Sequence, residues 1–109
     1  MAFRILVINP GSTSTKIGVF EDLKELFTEG VAHSAEEIAR FPSIAAQYEF
    51  REKHIREALN KRGFDIKTLS CVVGRGGLLK PIPGGVYAVN ETMKNELLEA
   101  KNGEHASNL

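Results

Sequence analysis

The stretch Ile5-Leu6-Val7-Ile8-Asn9-Pro10-Gly11-Ser12-Thr13-Ser14-Thr15-Lys16-Ile17-Gly18-Val19-Phe20 constrains the chain more than any other. Ile5 to Ile8 is apolar without alternation, the pattern of a strand buried on both faces. Pro10-Gly11 punctuates a turn, and Ile17 to Phe20 resumes strand composition before Glu21-Asp22. Between the strands lie Ser12, Thr13, Ser14 and Thr15 with Lys16: hydroxyl donors, one positive charge, and Gly11 where backbone must approach closely. A turn so furnished suits an anion, phosphate above all. A hairpin whose hydroxyls cap its own backbone accounts for the same residues.

Composition narrows the surroundings of this hairpin. With 109 residues the chain has the length of one domain. Lys+Arg and Asp+Glu both number 14, so the formal net charge is zero, and no basic run marks a nucleic-acid partner. Electrostatic function must therefore be local. The single cysteine, Cys71, excludes an intrachain disulfide framework and fits a reducing, cytoplasmic setting. No apolar stretch approaches the roughly 20 residues that span a bilayer, and the N-terminal apolar run, broken at Asn9-Pro10, is no signal peptide.

Further along, Leu23 to Glu25 reads as a polar link and Leu26 to His33 as a third strand, giving an antiparallel meander. Ser34 with Glu37 has the capping-box spacing, and a short helix over Ala35 to Arg40 follows. Ile44 to Arg62 is helical in period. Ile44, Tyr48, Ile55 and Leu59 share its apolar face with Ala45 and Ala58 alongside. Arg51, Glu52, Lys53, Arg56, Glu57 and Lys61 are assigned to the outside, with Glu49–Lys53 and Glu57–Lys61 as i,i+4 pairs, and Gly63 stands as the C′ glycine. Leu69 to Val73 is a second unalternating run, expected as a buried strand beside the first after a helical crossover, with Cys71 as inert packing. Val86 to Val89 reads as a short strand. Asn90 is the N-cap of a helix over Glu91 to Lys101, whose apolar face carries Met93, Leu97, Leu98 and Ala100. His33 and His54 show no partner pattern and receive no role.

The loop Gly74-Arg75-Gly76-Gly77-Leu78-Leu79-Lys80-Pro81-Ile82-Pro83-Gly84-Gly85 follows a strand, where ligands of α/β sheets bind. An arginine between glycines there can reach a carboxylate or phosphate with its fork. An exposed arginine in a structural loop is the alternative. His105, between Glu104 and Ser107-Asn108, is by itself a capping or surface residue. Nothing finished follows Gly103, and the chain reads as a fragment.

Val7 to Lys16 resembles the opening of the acetate and butyrate kinase family, within the acetate/sugar kinase, Hsp70 and actin superfamily. Asn9 stands where most of that superfamily has aspartate and the carboxylate kinases have asparagine. The loop Gly74 to Gly85 and the segment Gly103-Glu104-His105-Ala106-Ser107-Asn108-Leu109 resemble the butyrate kinase branch rather than the acetate kinase branch. The resemblance implies an α/β, ribonuclease H-like (actin-like ATPase) domain: a mixed sheet with an N-terminal antiparallel hairpin and helical crossovers, here incomplete. It implies that residues 1–109 are the N-terminal domain, or part of it, of a two-domain kinase about three times as long, homo-oligomeric when whole, and inactive as this piece alone. The reaction implied is reversible transfer of the ATP γ-phosphoryl group to a short-chain carboxylate, giving acyl phosphate and ADP, with Mg²⁺.

By the same resemblance, Asn9 would sit near the transferring phosphoryl group and the metal-bound water. Gly11, Ser12, Ser14 and Lys16 would bind nucleotide phosphates. Arg75 would hold the carboxylate or acyl phosphate, with Gly76, Gly77 and Pro83 at the substrate. His105 would lie near the transferring group, and Leu78, Leu79 and Ile82 would line the alkyl pocket. Another acid or sugar kinase of the superfamily, disfavoured by Asn9, and a non-catalytic phosphate- or nucleotide-binding module are the competing readings.

Overall fold

A computed structural model describes residues 2–75, 84–99, 103 and 105. Three strands come first: β1 (Arg4–Pro10), β2 (Ser14–Glu21) and β3 (Lys24–Ala32). They form the expected antiparallel meander, Arg4 opposite Glu21 and Ser14 opposite Ala32. The polar link expected over Leu23 to Glu25 is shorter. β3 begins at Lys24, and a tight turn at Asp22 and Leu23 makes the connection. Asp22 takes the left-handed φ of 53° that such a turn demands, and its Oδ1 accepts a hydrogen bond from the Phe3 N–H at 2.9 Å. A bulge between Val19 and Phe20 takes up the register.

Helix α1 (Ala35–Ala39) is capped by Ser34, whose Oγ accepts from the Glu37 N–H at 3.1 Å and lies 3.0 Å from Glu37 Oε1. A 3₁₀ turn (Ala45–Gln47) leads into α2 (Tyr48–Lys61). Its end is a complete Schellman motif. Gly63, at φ 69°, donates to Asn60 O, and Phe64 donates to Leu59 O, both at 2.9 Å. The pairing on its surface differs from expectation: the i,i+4 ion pair is Arg56–Glu52 at 3.0 Å, and Arg62 reaches across to Glu29 at 2.9 Å.

After a second 3₁₀ turn (Ile66–Thr68), β4 (Cys71–Gly74) pairs parallel with β1, Ile5 opposite Cys71 and Ile8 opposite Gly74. The sheet order is β3-β2-β1-β4, so α2 belongs to the crossover into the parallel strand. The fold is mixed α/β. One face of the sheet packs on α2, and the core there is Leu6, Ile17, Val19, Ile55, Ala58 and Leu59, with Ile8, Phe27, Val31, Phe64 and Leu69 against it.

Four expectations need correction. Every residue of β4 is exposed, Cys71 included, because β4 is an edge strand and no described element covers its outer side. β1 is only half-buried at Ile5 and Val7, since α2 covers one face alone. Val86 to Val89 form no strand and are exposed, Val86 at 92%: strand composition alone does not supply a pairing partner. Arg51, assigned to the outside of α2, is buried at 3% exposure, while Tyr48, assigned to its apolar face, is 52% exposed. Helix α3 (Glu91–Glu99) starts as expected, the Asn90 Oδ1 accepting from the Met93 N–H at 2.9 Å, and buries none of its residues. Its expected continuation through Ala100 and Lys101 lies outside the described residues.

Candidate functional site

The turn joining β1 to β2 is short: Pro10 still pairs with Thr15, and the Gly11 N–H donates to Ser14 O at 2.7 Å. A β-carbon at Gly11 would meet the Ser14 hydroxyl at 3.3 Å, a tight approach that the exposed Ser14 side chain would have to relieve. Ser12, Thr13, Ser14 and Lys16 are all exposed, as is Asn9. Asn9 stands directly opposite Lys16 across β1 and β2, so the two share a sheet face. Because side chains alternate along a strand, Ser14 shares that face as well, while Thr15 points to the side of α2. The outward groups of the turn are thus an amide, three hydroxyls and an ammonium.

Arg75 follows β4 directly, and its N–H donates to Ile8 O at 3.0 Å, continuing the parallel ladder to the residue before Asn9. The backbone of Arg75 therefore lies at the same end of the sheet as the turn, where the parallel strands β1 and β4 both finish. Asn9, Gly11, Ser12, Ser14, Lys16 and Arg75 are gathered there by topology. His105 is exposed and follows α3, outside the elements that frame the turn. Gly76, Gly77, Pro83, Leu78, Leu79 and Ile82 lie outside the described residues.

Beneath the turn is a polar cluster of Arg51, Gln47, Thr15 and His33. Arg51 comes from the first turns of α2 and points under the hairpin. Its Nε and Nη2 donate to Gln47 Oε1 at 3.1 and 3.0 Å, Nη2 donates to Ser12 O at 3.2 Å, and Nη1 donates to Ser14 O at 3.0 Å and Thr15 Oγ1 at 3.3 Å. A guanidinium has five N–H groups, so each finds an acceptor. All the acceptors are neutral. Burial lowers the Arg51 pKa from its usual value, yet a guanidinium keeps its proton in a protein. The buried Thr15 hydroxyl is shared with His33, whose Nε2 lies 2.9 Å away. The other ring nitrogen of His33 is buried and has no partner among the described residues. Burial, then the charge of Arg51, then His54, lower the His33 pKa below 6.5, against a raising influence from Glu37. The His33 ring also packs on Phe50 and His54, each at 5.1 Å between centroids.

This cluster left a trace in the sequence. Arg51 lies four residues before Ile55 and four after Gln47, on the stripe that continues through Ala58 and Leu59. Its charge, rather than its position, placed it outside.

The turn can hold a polyanion. Serine and threonine hydroxyls, a lysine and backbone N–H groups are the donors that phosphate oxygens accept. The fit to magnesium is different. Asn9 and the hydroxyls offer neutral oxygens and the turn bears no carboxylate. Among the described residues no group of three His, Cys, Asp or Glu side chains could hold a metal ion. Such neutral groups would leave magnesium to be held chiefly through nucleotide phosphates and water, its usual mode with nucleotides. No helix among the described residues is long and apolar enough to cross a membrane.

No protein-family model matches the chain. Individual proteins do. The chain is 57% identical over 109 residues to a probable butyrate kinase of Coprothermobacter proteolyticus, which is the whole of this chain and 31% of that protein. It is 51% identical over 107 residues to butyrate kinase 1 of Clostridium acetobutylicum, and 52% identical over 109 residues to butyrate kinase 2 of the same organism. The chain spans about 31% of the length of the curated relatives it matches and corresponds to their N-terminal portion.

Proposed function

We propose that these residues form part of a short-chain carboxylate kinase, the N-terminal, ribonuclease H-like portion of an enzyme that moves the ATP γ-phosphoryl group reversibly onto butyrate or a similar acid. The observation that carries this reading is the similarity, at 57% identity along the whole chain, to proteins named butyrate kinase. The exposed hydroxyl and lysine turn, with Arg75 at the same end of the sheet, supports it.

The chemistry agrees with the parts. A carboxylate nucleophile is already ionised near neutral pH, so transfer needs no strong base. It needs two anions held in line and the transferring charge stabilised, which is the work of positioned cations and hydrogen-bond donors. In this reading Gly11, Ser12, Ser14 and Lys16 bind nucleotide phosphates, and Asn9 faces the transferring group. Arg75 grips the carboxylate with Gly76, Gly77 and Pro83 around it, and His105 donates to the phosphoryl oxygens. Bound magnesium would neutralise phosphate charge. In this reading the adenosine site and the acidic metal residues are supplied by other parts of the two-domain kinase.

The test is an assay of the full-length protein with MgATP and a panel of short-chain acids, the acyl phosphate being trapped with hydroxylamine. Acyl hydroxamate from butyrate or a close homologue is expected. Phosphorylation of a sugar with no acyl phosphate formed would overturn the reading. Arg75→Ala should lower kcat/KM for the acid by about a hundredfold or more, as loss of a positioned charge stabiliser does; parental kinetics would remove Arg75 from the acyl site.

A further inference from the structure

Arg51 resembles a structural residue in its burial and an active-site residue in its charge. A buried cation is normally matched by a carboxylate, because desolvating an unpaired charge is expensive. Arg51 has no such match among the described residues: its acceptors there are Gln47 Oε1, two backbone carbonyls of the turn, and the Thr15 hydroxyl. No described carboxylate therefore neutralises the positive charge, which lies under the loop whose outer surface carries Ser12, Thr13, Ser14 and Lys16. An anion on that outer surface is the missing counterpart.

Peptide geometry adds a direction. Every peptide bond of the described chain is trans, so a carbonyl and the following N–H point to opposite sides. With the Ser12 carbonyl drawn inward to Nη2 at 3.2 Å, the N–H of Thr13 is turned outward. The Ser14 carbonyl is held doubly, by Nη1 at 3.0 Å and by the Gly11 N–H at 2.7 Å. The fork geometry of arginine allows both carbonyls to be held while Gln47 anchors the other edge. A lysine, a point donor, cannot span them.

We propose that Arg51 is a positioning residue of the phosphate turn. From inside the sheet–helix interface it fixes the Ser12 and Ser14 carbonyls inward, so that the Thr13 N–H and the turn hydroxyls face a nucleotide phosphate, and its positive charge favours that anion. Gln47 orients Arg51 through two of its five donors. The identity of the anion rests on the kinase reading above; the holding of the turn does not.

The full-length protein and its Arg51→Lys, Arg51→Met and Gln47→Leu variants test this. Folding is followed by circular dichroism, MgADP binding by calorimetry, KM for ATP and for the carboxylate by kinetics, and amide exchange over residues 10–16 by mass spectrometry. Arg51→Lys is expected to fold, to bind MgADP about tenfold or more weakly, and to raise KM for ATP while KM for the carboxylate stays within about twofold. Exchange over residues 10–16 should quicken, and Gln47→Leu should show a smaller shift of the same kind. A merely structural arginine would change stability without this split. A folded Arg51→Lys protein with parental MgADP affinity and parental exchange would overturn the proposal, as would loss of folding in all three variants. If the unmodified protein binds no nucleotide, the kinase reading fails, and the exchange comparison alone decides for or against Arg51.

Discussion

Thr15 has no exposed surface, and its one hydroxyl serves two neighbours, Arg51 Nη1 at 3.3 Å and His33 Nε2 at 2.9 Å. Thr15→Val keeps the shape and removes the hydroxyl. Arg51 keeps Ser14 O, but His33 loses the partner of its only bonded nitrogen. A buried polar group so orphaned costs about 1–3 kcal/mol, and urea denaturation of the variant should show a loss in that range. His33 carries a second prediction. Its native pKa lies below 6.5, so below that pH the unfolded chain binds more protons than the folded one. The stability it contributes is whole above pH 6.5 and is lost as the pH falls through 6.5 towards the native value. The denaturation midpoint should fall between pH 7.5 and 5.5, and His33→Gln should flatten that part of the profile. An identical slope in both proteins would contradict it. At this scale the sequence showed the outward residues of the turn and hid the inward ones. Ser12, Ser14 and Lys16 advertise their chemistry by type, whereas Thr15, His33, Gln47 and Arg51 become a cluster only when β2, β3 and α2 are folded together.

Elements were legible where a local rule governs them. The hairpin, the Ser34 and Asn90 caps and the Gly63 stop depend on a few neighbouring residues, and each stands where its residues indicate. Gly63→Ala tests the last of these. At φ 69° a β-carbon is strained although nothing within 4 Å would touch it, so the cost is conformational, about 1–2 kcal/mol. A fall in thermal stability with unchanged circular dichroism is the expected result. β4 and Val86 to Val89 failed for the opposite reason. An unalternating apolar run says that both faces seek cover, not that cover is present, and strand composition creates no strand without a neighbour to pair with. β4 met β1 on one edge and nothing described on its other edge or outer face.

For the whole molecule, the same incompleteness appears as surface. The core lies on one side of the sheet only. A cavity of about 580 Å³ runs between α2 and the β1–β4 side, lined by Leu6, Ile8, Ile55, Leu69 and Val72 among others. Val72 is 57% exposed, Val73 39% and Leu98 41%. Apolar surface of this kind, beside a strand edge that no described strand pairs, invites association. The 109-residue chain by itself should therefore bind the dye ANS and sediment as a mixture of monomer and larger species. Val72→Lys should reduce both, since a charge on an edge strand blocks pairing. The full-length protein, about three times longer on the scale of its relatives, should do neither. The catalytic consequence runs in parallel. On the kinase reading proposed above, these residues supply only part of the groups that would exclude water and hold two anions in line, so the chain alone should form no acyl phosphate from MgATP and butyrate. A monodisperse, dye-silent fragment would contradict the structural half of this argument, and measurable acyl phosphate from it the catalytic half.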